Sequence, residues 1–163
     1  MTTIDTAQTG TPRADSVSVP AVRATIGCLI PAHNEAESIR AAIGSVLDQS
    51  RLPDVVHVIV NNSTDNTAVF AEEFAGPHTR VVDGAEQYTS LYVHNIGTPG
   101  VVGTRSGALD YGFTLVEGYD CFFVLDADMV ASPGDVAGIE NEFRLDLANR
   151  TTRTTCTTHD TQS

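Results

Sequence analysis

The chain has 163 residues, 41% of them hydrophobic, and sets 21 acidic against 9 basic residues for a formal charge of −12. That length supports one domain with a real core, while the charge repels phosphate backbones and anionic lipid and so sets aside nucleic acid and membrane surfaces as partners. Every basic residue is Arg; with no Lys anywhere, Schiff-base chemistry and a lysine-dependent phosphate loop are excluded.

In chain order, residues 1–23 open with a polar stretch, MTTIDTAQTGTPRADSVSVP, that lacks the apolar core of a signal peptide and reads as a flexible leader. ATIGCLIP (24–31) is a short apolar run stopped by Pro, the pattern of a buried strand. The next segment places Ile39, Ile43, Val46 and Leu47 on one helical face, with Asn34 and Glu37 spaced as a capping box. VVHVIV (55–60) predicts a second strand, and His57 within it reads as a hydrogen-bonded core histidine; neither His33 nor His94 draws a role. STDNTAVFAEEFA predicts a second helix ended by Gly76-Pro77, and TRVVD (79–83) a third, shorter strand.

Residues 84–100 read as a long polar connection, followed by a glycine-bearing helix over 101–113. CFFVLD (121–126) predicts a fourth strand. Ser132 as cap and Pro133 at the first position then open a helix with Val136, Ile139, Phe143 and Leu147 inward. Strands apolar on both faces and alternating with helices imply an α/β fold, a mostly parallel sheet flanked by helices. Cys28 and Cys121 sit in apolar runs, and three cysteines at unrelated spacings argue for a reducing compartment, so the expected location is cytoplasmic. No run of apolar residues is long enough to span a membrane.

Ligands of such sheets bind beyond the carboxyl ends of the strands. There the chain gathers PAHNEAE, NNSTDNT and DADM. Asp126 and Asp128, two apart at the end of an extended segment, can face one object, and a hard cation such as Mg²⁺ or Mn²⁺ suits them because substrate phosphates and water complete its shell. An Asp pair is also ordinary turn chemistry.

Four stretches in order, IPAHNEAESI, VIVNNSTDNTA, GTRSGALDYG and FFVLDADMVASP, resemble the inverting glycosyltransferases of family 2, over about residues 24–147. The resemblance implies a GT-A (Rossmann-like) fold, incomplete at the C-terminus, and a nucleotide-diphosphate sugar as donor. On it, Pro31 and Ala32 would line the base, Glu35 would accept from ribose hydroxyls, and Asp126 with Asp128 would hold the divalent cation (Mn²⁺ or Mg²⁺) on the diphosphate. Asp65 matches a family position, or caps the helix at 67. The family commonly has Asp where this chain has Asn61, whose amide oxygen could still accept from a uracil N–H of the donor. It has Lys where this chain has Thr104, and Asn where it has Asp110, a residue that would add negative charge near a diphosphate. Arg105, always charged and able to bind bidentately, is the candidate to supply the phosphate's cation, or is a solvated helix arginine.

The family's general base and acceptor half follow the D-x-D, and the catalytic residue of this chain is therefore unassigned. After NEFRLDLANR the chain turns to TTRTTCTTHDTQS, Thr at seven of thirteen positions, which reads as a disordered tail over 150–163 left by truncation of a 24–149 nucleotide-sugar-binding domain. Glu140, Glu142 and Asp146 read as solvated-face residues of the last helix. The expectation is donor binding with metal-assisted transfer to an unknown acceptor, a partner chain supplying the missing half; the alternative is a non-catalytic nucleotide-sugar-binding or partner-binding remnant. A nucleotidyltransferase would want a basic, Gly-rich first turn and a dinucleotide-binding dehydrogenase G-x-G-x-x-G, and neither is present.

Overall fold

A computed structural model describes residues 23–97 and 103–152. Its elements are β1 (Ile26–Ala32), α1 (Ile39–Leu47), β2 (Val55–Asn61), α2 (Thr67–Glu72), β3 (Gly76–Val82), β4 (Ala85–Ile96), α3 (Arg105–Leu115), β5 (Cys121–Val124) and α4 (Asp135–Thr152). The five strands form one sheet in the order β3-β4-β2-β1-β5. All pairs are parallel except β3 with β4. The mostly parallel, helix-flanked α/β sheet expected from the alternation is therefore the fold observed. The expected leader, except Arg23, and most of the Thr-rich tail lie outside the described residues; α4 itself runs into the expected tail, as far as Thr152.

Every residue of β1 and β2 is buried, because helices cover both faces. On one face Ile39, Ile43 and Val46 of α1 meet Cys28, Ile30, Val56, Val58 and Leu91. On the other, Ala108 and Val116 meet Leu29 and Ile59. Helix α3 can approach so closely because it turns Gly112 to the sheet: a Cβ there would come within 2.8 Å of Ile59 Cδ1 and 3.1 Å of Leu29 Cδ1. Helix α4 closes a third cluster through Val136, with Ile139 and Phe143 packed against Ala24 and Ile26. It is pinned to α1 by Gln49, which donates to the Ser132 carbonyl and accepts from Val136 N–H.

Several expectations are corrected. Residues 84–100 are not a plain connection, since twelve of them form β4 in the sheet interior, between β3 and β2. The strand was hidden because its apolar residues are spread: Leu91 and Val93 pack on the core while Tyr88 and Tyr92 stay exposed. Asp83 and Gly84, at φ 51° and 77°, make a two-residue turn that pairs Val82 with Ala85, the backbone that an Asp-Gly hairpin demands. Gly76-Pro77 does not end α2, which stops at Glu72; it begins β3, an edge strand, where the missing Pro N–H costs no ladder bond.

Asn34 does not cap α1. The helix starts after Ser38 with no side-chain cap, and Asn34 instead sits in the left-handed region at φ 54°. Pro133 precedes α4 in a turn rather than occupying its first position, and Asp135 accepts from Ser132 N–H. Leu147 is 38% exposed, so the inner face of α4 ends with Phe143. Glu140 is no solvated-face residue: at 8% exposure it lies against Arg51 (3.4 Å) and Arg144 (3.6 Å).

Candidate functional site

Parallel pairing brings the carboxyl ends of β1, β2, β4 and β5 to one edge, Ala32 beside Val60 and Asn61 beside Ile96. A cleft of about 240 Å³ opens there, lined by Pro31, Ala32, His33, Glu35, Thr104, Arg105, Ala108, Asp126, Ala127 and Asp128. Three separate stretches thus contribute: the exit from β1, the start of α3 and the turn after β5. The volume is below the roughly 300–1,000 Å³ of enclosed ligand sites, so this is a wall with a groove, not a closed pocket.

The exit from β1 is shaped by polar backbone satisfaction. Asn34 accepts from Thr64 N–H at 2.8 Å and donates its own N–H to Ser63 Oγ at 2.9 Å, tying this loop to the one after β2. Glu35 N–H donates to Thr67 Oγ1 at 2.8 Å, and Ser38 Oγ donates to the Glu35 carboxylate at 3.0 Å. The Glu35 side chain is thereby oriented at the rim, half-buried, with acceptor capacity left over.

The turn after β5 carries the acidic pair. The strand ends at Val124, two residues earlier than expected, and Met129 N–H then donates to the Asp126 carbonyl. Buried Ala127 anchors this turn in the core, and the flanking Asp126 and Asp128 both line the cleft. Arg105, the first residue of α3, donates from Nε to Asp126 Oδ1 at 2.7 Å, with both side chains about half exposed. A pair that open to water holds weakly, so a ligand phosphate can compete for Arg105.

Two candidates stand outside this lining. Asn61 is buried at 8% exposure behind the cleft wall. Asp65 accepts from Thr67 N–H at 2.9 Å, from Thr67 Oγ1 and from Ala36 N–H at 3.1 Å. Desolvation pushes its carboxyl up, but the Thr67 and Ala36 hydrogen bonds outweigh that and hold it below the usual range. It ties the start of α2 to the loop after β1. Asp110, exposed on α3, is not in the lining either. His33, which drew no role from the sequence, is in it; only the position of strand ends could have flagged it.

The chemistry of the donor set fits a hard dication shared with a ligand. Asp126 and Asp128 offer oxygen donors only, and Arg105 occupies one oxygen of Asp126. Among the described residues no group of three or more His, Cys, Asp or Glu could hold a metal ion, so an ion on this pair would need ligand oxygens and water to complete its shell. A larger open groove, about 810 Å³, lies away from this edge between α3, β5 and α4. It is walled by Phe113, Phe122, Ile139 and Phe143, and one of its carboxylates, Asp120, is occupied by Thr25 N–H and Oγ1.

The helix-flanked, mostly parallel sheet matches the GT-A, Rossmann-like fold. The sequence profile of the Glycosyl transferase family 2 family matches residues 28–92, a stretch that holds Pro31, Ala32, Glu35, Asn61 and Asp65 but ends before Arg105 and the acidic pair. Among solved structures, S. aureus TarS residues 1–349 superposes with a TM-score of 0.54 at 18% identity, over 72% of this chain and 32% of that one. The longer S. aureus TarS structure gives 0.52 at 17% identity, over 72% and 20%. M. tuberculosis glucosyl-3-phosphoglycerate synthase gives 0.44 at 23%, over 70% and 38%. No curated protein matches in sequence. The chain therefore spans about a third or less of the TarS structures it matches; it shares their fold, and its residues 28–92 are similar to the Glycosyl transferase family 2 profile. Among the described residues no helix is long and apolar enough to cross a membrane.

Proposed function

We propose that the cleft binds a nucleotide-diphosphate sugar and that the chain provides the donor half of an inverting sugar transfer. The observation that carries this is the meeting of Glu35, Arg105, Asp126 and Asp128 in one groove at the strand ends. Pro31 and Ala32 give the base a flat apolar wall, Glu35 accepts from ribose hydroxyls, and Arg105 faces the phosphates. Asp126 and Asp128 would hold Mn²⁺ or Mg²⁺, which when bound neutralises charge developing on the leaving diphosphate.

In the transfer an acceptor oxygen attacks the anomeric carbon opposite the diphosphate. The carbon–oxygen bond to the diphosphate breaks, the nucleoside diphosphate leaves with the electron pair, and the acceptor's proton passes to a base. No described residue after Asp128 lines the cleft. Asp135 is engaged by Ser132, Glu140 by Arg51, and Asp146 by Arg150. We assign the base and the acceptor surface to a region beyond the described residues or to a partner chain. Binding without turnover is the second reading, favoured by the same open wall.

The test is thermal. Mn²⁺ with uridine or guanosine diphosphate at 100 times the Kd should stabilise the fold by about 2.7 kcal/mol, raising Tm by roughly 8 °C. Asp126→Asn with Asp128→Asn should abolish the shift while leaving the unliganded Tm within a few degrees. No shift with the wild-type chain, or an undiminished one with the double variant, would falsify the site. Release of free sugar or transfer to an added acceptor then separates an enzyme from a binding module.

A further inference from the structure

Asn61 closes β2 and is buried, yet its polar groups are directed rather than merely satisfied. Its side-chain Nδ2 donates to the Thr104 carbonyl at 3.0 Å. Its own carbonyl accepts from His33 Nδ1 at 2.8 Å, which requires that nitrogen to carry the proton and leaves Nε2 to face Asn34 Nδ2 at 3.4 Å. Thr104 in turn is the cap of α3, its hydroxyl accepting Gly107 N–H at 3.0 Å. The next residue is Arg105, bonded to Asp126.

At position 103 only glycine lets these parts meet, and at 107 a larger residue would crowd them. A Cβ on Gly103 would stand 2.0 Å from the Asn61 carbonyl oxygen and 2.6 Å from His33 Nδ1. One on Gly107 would stand 3.1 Å from Asn61 Nδ2. The Thr104 carbonyl is an acceptor, already taking Ala108 N–H at 3.2 Å, so only a donor can face it; an ionised carboxylate would set acceptor against acceptor.

We propose that Asn61 is a positioning residue: its amide fixes the first turn of α3 and so decides where Arg105 meets Asp126 and the ligand's phosphates. The effect on ligand binding rests on the donor-binding reading above, whereas the tether itself does not. Asn61→Asp keeps the shape and removes the donor. In the unliganded protein, the Arg105 Nε–H resonance should shift in this variant, and in the wild type one Asn61 side-chain amide proton should exchange slowly with solvent. Affinity for uridine diphosphate with Mn²⁺ should fall about tenfold in Asn61→Asp. The same change made on top of Arg105→Ala should cost less than about twofold, because the residue it acts through is gone.

An unmoved Arg105 signal overturns the tether. A full loss that persists with Arg105→Ala overturns the route through Arg105 and makes Asn61 a direct ligand contact. Should Asn61→Asp fail to fold, fast exchange of the wild-type amide protons overturns the proposal and slow exchange sustains it. Should the wild type bind no nucleotide, the donor reading falls while the Arg105 signal still judges the tether.

Discussion

His57 shows how much one side chain can set. It is 7% exposed, its Nδ1 lies 3.0 Å from His94 Nε2, and Tyr111 Oη lies 3.2 Å from His94 Nδ1. Burial and then the neighbouring His94 depress its pKa to about 4, and burial lowers that of His94 too. Between about 4 and the unfolded value near 6.5 the unfolded chain binds more protons, so stability rises with pH across that window and is lost as pH falls through it. The loss should reach about 2 kcal/mol in melts taken from pH 7 to pH 4.5. His57→Gln should flatten the slope; a slope unchanged by that substitution assigns it to other groups. The core histidine was legible from its place in an apolar run, but its partner was not, because His94 lies on a strand whose pattern gave no hint of one. Glu140 was misread for a related reason: a helix position cannot reveal that Arg51 waits across the interface.

At the level of elements, β1, β2 and β5 were legible because they are short apolar runs bounded by turn residues. β4 was not, since alternation over a half-covered face looks polar when read residue by residue. Strand β5 lies at the sheet edge among the described residues, with Phe122 47% exposed and its ring 5.4 Å from that of Phe113, itself 43% exposed. Apolar groups on an uncovered strand favour edge-to-edge association. Phe122→Lys should reduce concentration-dependent light scattering while costing no more than about 0.5 kcal/mol of stability, the usual range for an exposed site. Equal scattering by the two proteins would clear this edge of blame.

Across the whole molecule one buried cation joins parts far apart in sequence. Arg51 donates to the Leu52 carbonyl at 2.6 Å and to the Ala24 carbonyl, pairs with Asp54 at 3.1 Å, and meets Glu140 of α4 at 3.4 Å. Arg51→Ala would leave two carbonyls without their donor and Glu140 largely uncompensated, and should destabilise the fold by about 3 kcal/mol, near 10 °C in Tm. A drop under about 1 kcal/mol would mean that Arg144 alone suffices for Glu140. The candidate cleft was legible at this scale more than at any other: polar segments at successive strand ends had to converge once the sheet was parallel. What could not be read was which of them face the groove, since Asn61 and Asp65 differ from Glu35 only by where their hydrogen bonds go.

The cleft's walls come from residues 31–35, 104–108 and 126–128. No contiguous peptide shorter than residues 31–128 carries all three, and they converge only once β1 has paired with both β2 and β5. Long-range pairing of this kind is slow and cooperative. Any recognition at this cleft therefore depends on tertiary order, because a nascent chain lacks the cleft until β5 has docked on β1.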